Sequence, residues 1–141
     1  MTTKDYLWQL KRLRKRIDNK AAEVYKLKSM AYSITIAPSD SERVQTSTTG
    51  DRIGSAVAKI VDLENEISDE IDLYTEKRNH ILNQIENIGN DEYVDVLTHR
   101  FVLEKDFDDI PDEIHMSRRK MFYIYREAMD RFEELYGSEY K

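Results

Sequence analysis

No cysteine occurs in this chain, which excludes both a disulfide framework and a thiolate metal site. Proline appears twice and glycine four times in 141 residues, too few for a protein built from tight turns and short strands. No apolar run is long enough to cross a bilayer, and the N-terminal residues lack the apolar centre of a signal peptide. A Gly-rich phosphate cradle is missing as well, because Gly50 and Gly54 fall in no such pattern. What the chain does have is charge: Asp, Glu, Lys and Arg make up 35% of it, a composition that favours long helices. The expectation is a helical, cytoplasmic protein with no membrane partner.

A net charge of −6 argues against indiscriminate wrapping of nucleic acid. The distribution matters more than the total. Residues 1–30 hold nine Lys/Arg against three Asp/Glu, a balance of +6 that leaves −12 for the remainder. Residues 104–113 carry six acids and one Lys, whereas 117–131 carry five Lys/Arg and two acids. Positive charge is concentrated on the N-terminal segment and on the start of the last helix, so any nucleic-acid contact is localised there.

Apolar residues at spacings of three and four predict a helix from about Lys4 to Met30, with Leu10, Leu13, Ile17, Ala21, Val24 and Leu27 on one stripe. From Tyr32 to Gly50 the pattern fails, and Ser, Thr, Asp and Pro38 predict a loop. Asp51 is placed to cap the next helix, which runs to about Ile88 on Ile60, Leu63, Ile67, Ile71, Tyr74, Ile81 and Ile85. Two such helices predict an antiparallel, coiled-coil-like hairpin, or a homodimer through the same long helices. Gly89-Asn90-Asp91 reads as a helix stop followed by a new start.

The C-terminal third carries the functional signal. A helix over about 91–103 buries Val94, Leu97, Phe101 and Val102; Asp106 then caps a short acidic helix that buries Phe107, Ile110 and Ile114. Pro111 is tolerable there only in the first turn, and His115 occupies a turn position that often needs positive φ. Ser117 caps the last helix, whose core stripe is Met121, Ile124, Ala128, Met129 and Phe132. Arg118, Arg119, Lys120, Phe122, Tyr123 and Arg126 are left facing outward. Cations at a helix N-terminus oppose the macrodipole, so local stability does not account for them. A short helix, a turn and a second helix opening on cations form the pattern of a helix-turn-helix. The fold expected is therefore all-α: a hairpin arm over 1–90 with a loop at about 32–50, and a helix-turn-helix domain over 91–141.

No catalytic constellation emerges. His80, His99 and His115 have no partners at metal-ligand spacing, and neither a metal nor a cofactor is expected. Glu64, Glu66, Asp69, Glu70 and Asp72 lie on a polar helix with no pocket to shield an acid–base pair. The VQTSTTGD stretch (44–51) is read as hydroxyls capping the long helix, with a backbone-lined contact to phosphate or to a protein partner as the alternative.

The segment LTHRFVLEKDFDDIPDEIHMSRRKMFYIYREAMDRF (97–132) resembles the promoter-reading fourth region of sigma-70 factors. It is similar to the C-terminal part of a phage and prophage family of unknown function, grouped with RinA- and ArpU-type late-gene regulators. YLWQLKRLRKRID (6–18) and RVQTSTTGDRIGSAVAKIVDLENEI (43–67) extend the likeness over nearly the whole chain. The resemblance implies a phage-encoded transcription regulator in a bacterial cytoplasm, with double-stranded DNA bound through Ser117, Arg118, Arg119, Lys120, Phe122, Tyr123 and Arg126. Pro111 and Tyr123 depart from the family pattern. A second reading is a non-catalytic adaptor for RNA polymerase or another phage or host protein. It would act through Glu104, Asp106, Asp108, Asp109, Asp112 and Glu113 and through the arm.

Overall fold

A computed structural model describes the backbone of residues 1–36 and 42–141 and the side chains of 1–33 and 50–141. Among the described residues every regular element is helical. The order is α1 (Thr3–Leu7), α2 (Gln9–Ile36), α3 (Glu42–Glu86), α4 (Asp91–Leu97), α5 (Ile110–Glu113) and α6 (Arg118–Tyr136). A π-helical turn, Thr98–Val102, prolongs α4, and a 3₁₀ turn, Gly137–Glu139, follows α6. The chain forms two compact units, residues 15–72 and residues 1–14 with 73–141.

The loop expected over 32–50 is corrected. Helix α2 continues to Ile36 and α3 begins at Glu42, while Pro38 and the rest of 37–41 lie outside the described residues. Thr and Gly each cost a helix only about 0.5–1 kcal/mol, and extending a long helix avoids the cost of nucleating a new one. The Ser/Thr-rich stretch is therefore absorbed into a 45-residue helix. Asp51 falls inside α3 and cannot cap it; the side chains of 44–49 lie outside the description.

In the 15–72 unit, α2 and α3 pack as an antiparallel hairpin. Val24, Ile60 and Leu63 are buried, with Leu27 and Ile67 packed against them. Facing ion pairs fix the register: Arg16–Glu70 at 2.9 Å, Lys20–Glu70 at 2.8 Å, Lys20–Glu66 at 3.3 Å and Lys28–Glu64 at 3.8 Å. Ile71, assigned by its spacing to the seam, is 45% exposed. Glu70 is the buried side chain one position earlier, because the seam drifts around a straight helix.

Glu70 therefore titrates with the hairpin. The hydrogen bond from Lys20 holds its carboxyl below the usual 4.5, and Glu70 in turn raises Lys20 above 10.5. The Glu70 contribution to stability is present above its unfolded value of 4.5 and is lost as pH falls through its lower folded value. The Lys20 contribution is complete below 10.5 and is lost only as pH rises through its folded value. Glu70→Gln is expected to lower the thermal unfolding midpoint at neutral pH, with the two proteins converging in acid. Far-UV circular dichroism melts across that range check this; a constant difference down to strong acid would contradict it.

The other unit starts with a capping box: Thr2 accepts from the Asp5 backbone N–H, and the Asp5 carboxylate accepts from that of Thr2. Its main core joins Tyr6, Leu7 and Leu10 to Ile81 and Ile85 at the end of α3 and to Ile88 just beyond it. Leu97, Phe101, Val102, Ala128 and Phe132 complete it. Residues expected to belong to the arm thus pack with the C-terminal helices. Gly89 ends α3 at φ +88°, and Asn90 caps α4 by accepting from the backbone N–H of Glu92 and Tyr93. A smaller cluster of Val96, Ile110, Met121 and Ile124 holds α4, α5 and α6 together.

Candidate nucleic-acid interface

The candidate surface is built on α6. Met121, Ile124, Ala128 and Phe132 recur at helical spacing and are buried, which leaves Arg119, Tyr123 and Arg126 on the opposite side, all exposed. Ser117 is the N-cap: its Oγ accepts from the Lys120 backbone N–H at 3.1 Å. Pro111 sits in the first turn of α5, where its missing N–H costs nothing. That placement shortens α5. Asp106 is not its N-cap: Asp109 is, and the Asp106 carbonyl accepts from the N–H groups of Asp109 and Ile110 in the preceding turn. His115 adopts φ 55° between α5 and α6, the left-handed turn expected there.

Ser117→Ala should cost about 1 kcal/mol by leaving an N-terminal N–H of α6 without its acceptor. Urea unfolding measures it, and Ser117→Asp should retain most of the stability. A fully stable Ala variant would contradict the capping role.

The four cations are not equivalent. Arg118 Nη1 lies 2.5 Å from Asp108, and Lys120 Nζ lies 2.8 Å from Glu92. Both pairs are solvent-exposed, so each is weakly held and exchangeable. Among the described residues neither Arg119 nor Arg126 forms an ion pair within 4.0 Å. With Ser117, Lys120 and Tyr123 they line an open concavity of ≈ 410 Å³. Glu127 accepts from the Tyr93 hydroxyl at 2.8 Å, and hydrogen bonds from Tyr93 and Tyr123 lower its pKa. Those bonds to Glu127 also raise both phenols. Both phenols therefore keep their protons.

Phe122 is corrected. It is half-buried, with its ring 5.0 Å from that of Phe107 and the Arg118 guanidinium 5.2 Å above it. It braces α6 against the turn before α5. That turn is held further by contacts that helical periodicity could not reveal. Arg100 lies 3.9 Å from the Phe107 ring centre and 4.9 Å from that of Trp8, and donates to the Lys105 carbonyl at 3.0 Å. Arg14 grips Glu104 with two bonds of 2.6 and 2.7 Å, securing a residue at φ 55°. Glu104 is therefore no part of a free acidic surface. Glu113 is engaged too, 3.3 Å from Lys105. Asp106, Asp109 and Asp112 are exposed and, among the described residues, form no ion pair.

His80 meets Glu139 at 2.5 Å, and a His99 ring nitrogen meets the Asp95 carbonyl at 2.8 Å. Among the described residues no group of three or more His, Asp or Glu is placed to hold a metal ion, and no helix is long and apolar enough to cross a membrane. Compared with family models, curated proteins and solved structures, the chain matches none. Its functional reading therefore rests on its own residues.

Proposed function

We propose that the protein is a non-enzymatic, phage-encoded transcription regulator that binds double-stranded DNA through the exposed side of α6, as a sigma-like helix-turn-helix. The observation that carries this reading is the stripe Arg119–Tyr123–Arg126, exposed at the start of a helix whose other side is fully packed. Arginine offers a planar fork to guanine or to phosphate, and Tyr123 adds a hydroxyl and a ring. Arg118 and Lys120 flank the stripe and exchange Asp108 and Glu92 for phosphate oxygens on binding. Ser117 sets the helix start, and Phe122 positions the helix rather than touching DNA. The resemblance of residues 97–132 to the fourth region of sigma-70 factors supplies the phage setting and the bacterial cytoplasm.

Fluorescence anisotropy with duplex DNA from the gene's own upstream region, beside a scrambled duplex, tests this. With two to four phosphates contacted, log K should fall against log salt with a slope of about −2 to −4, and the upstream duplex should bind more tightly. Absence of binding, or equal binding to both duplexes, would overturn it.

A second reading draws on the free carboxylates of Asp106, Asp109 and Asp112 beside α6. In it the protein is an adaptor that docks on a basic surface of RNA polymerase. Capture of polymerase that survives Arg119→Ala/Arg126→Ala and is lost on reversing those three acids would select it.

A further inference from the structure

At about 100° per residue, Arg119, Tyr123 and Arg126 fall within about 60° of one another, and the buried stripe of Met121, Ile124, Ala128 and Phe132 is centred on the opposite side of α6. Arg118 and Lys120 project about 100° to either side of Arg119. The cationic side is short as well as narrow. Past Arg126 it turns acidic: Asp130 continues the line, with Glu133 and Glu134 on either side of it. A phosphate backbone repels those carboxylates, so the length of α6 suited to a DNA groove runs from Arg118 to Arg126. The concavity lined by Ser117, Arg119, Lys120, Tyr123 and Arg126 marks the same end of the helix.

We propose that α6 reads a four-base-pair element with a guanine at each end, three base-pair steps apart, one held by Arg119 and the other by Arg126. The inference rests on the DNA-binding reading above and adds to it which bases are read. The major groove admits an α-helix with one side on the groove floor and its flanks against the two walls. In that seating Arg119, Tyr123 and Arg126 face base edges, while Arg118 and Lys120 face phosphates of opposite strands. The two arginines are separated along the axis by a rise of about 10.5 Å at about 1.5 Å per residue. Three base-pair steps of about 3.4 Å cover the same length. Guanine is the base that fits: its O6 and N7 are adjacent acceptors in the major groove, the complement of a guanidinium fork. Both forks are available for it, since among the described residues neither arginine forms an ion pair within 4.0 Å. Arg118 and Lys120 instead rest on carboxylate oxygens of Asp108 and Glu92 at 2.5 and 2.8 Å, contacts of the kind a phosphate oxygen replaces. Tyr123 falls over the two inner pairs, where a single hydroxyl that can donate or accept discriminates less than a fork.

Selection of bound duplexes from a randomised pool by the full-length protein tests this, followed by anisotropy on the selected duplex. The enriched sequences should share two G·C pairs, on one strand or on opposite strands, separated by two degenerate pairs. Replacing either G·C pair by A·T should weaken binding at least about fivefold. Arg119→Ala should be indifferent to one of these replacements and Arg126→Ala to the other, both with unchanged helicity. Enriched sequences without guanines at that spacing, or two variants that respond alike to both replacements, overturn the inference and leave DNA binding by α6 standing. A pool from which no sequence is enriched overturns both.

Discussion

Phe101→Ala is expected to remove about 3–5 kcal/mol from the unit formed by residues 1–14 and 73–141, a large share of the stability of any domain of this size. Phe101 is fully buried, its ring 4.9 Å from that of Trp8 edge-on and 6.2 Å from that of Tyr125. It projects from the π-helical turn, which carries it toward α1 while Val96 and Leu97 serve the two sides of α4. Truncation leaves a cavity bounded by segments far apart in sequence, so no single neighbour can relax into it. Trp8, the only tryptophan, reports the change directly. Denaturant unfolding followed by its emission should show a lower midpoint and an altered native spectrum. A midpoint within experimental error of wild type would mean that the Trp8–Phe101 packing does not organise this unit.

Arg119→Ala/Arg126→Ala is expected to weaken duplex binding about a hundredfold, since each lost arginine contact costs about 1–3 kcal/mol. The salt slope should become shallower by about 2 if both arginines contact phosphate, and stay closer to wild type if they read bases. Arg118→Ala/Lys120→Ala should do less, because the wild-type protein must first part those cations from Asp108 and Glu92. All four positions are exposed, so helicity and unfolding midpoint should hold. Equal losses from the two double variants would contradict the ranking, and no loss from either would remove DNA from the account of α6.

The parts of this design legible in the sequence are those fixed within one helix or one turn. The alternation of Met121, Ile124, Ala128 and Phe132 with Arg119, Tyr123 and Arg126 follows from the 3.6-residue period alone. Ser117, Pro111, His115 and Gly89 each satisfy a local backbone demand, and each stands where that demand placed it. What failed depended on other segments. Phe122 looked outward because its cover, Phe107, lies fifteen positions earlier; Glu104 looked free because its partner is Arg14. Residues 32–36 and 42–50 read as loop because they are weak helix formers individually, whereas a long helix is sustained by its whole length. The 90/91 boundary followed the glycine, but Ile81, Ile85 and Ile88 before it pack with α4 and α6 as tightly as any residue after it.

The most direct measurement is a titration of the isotope-labelled full-length protein with its upstream duplex, followed by amide chemical shifts. The expected result is a contiguous set of perturbed amides from Ser117 to Arg126, centred on Arg119 and Tyr123, with residues 106–112 changing little. Perturbations confined to residues 106–112, or none at saturating duplex, would contradict DNA recognition by α6.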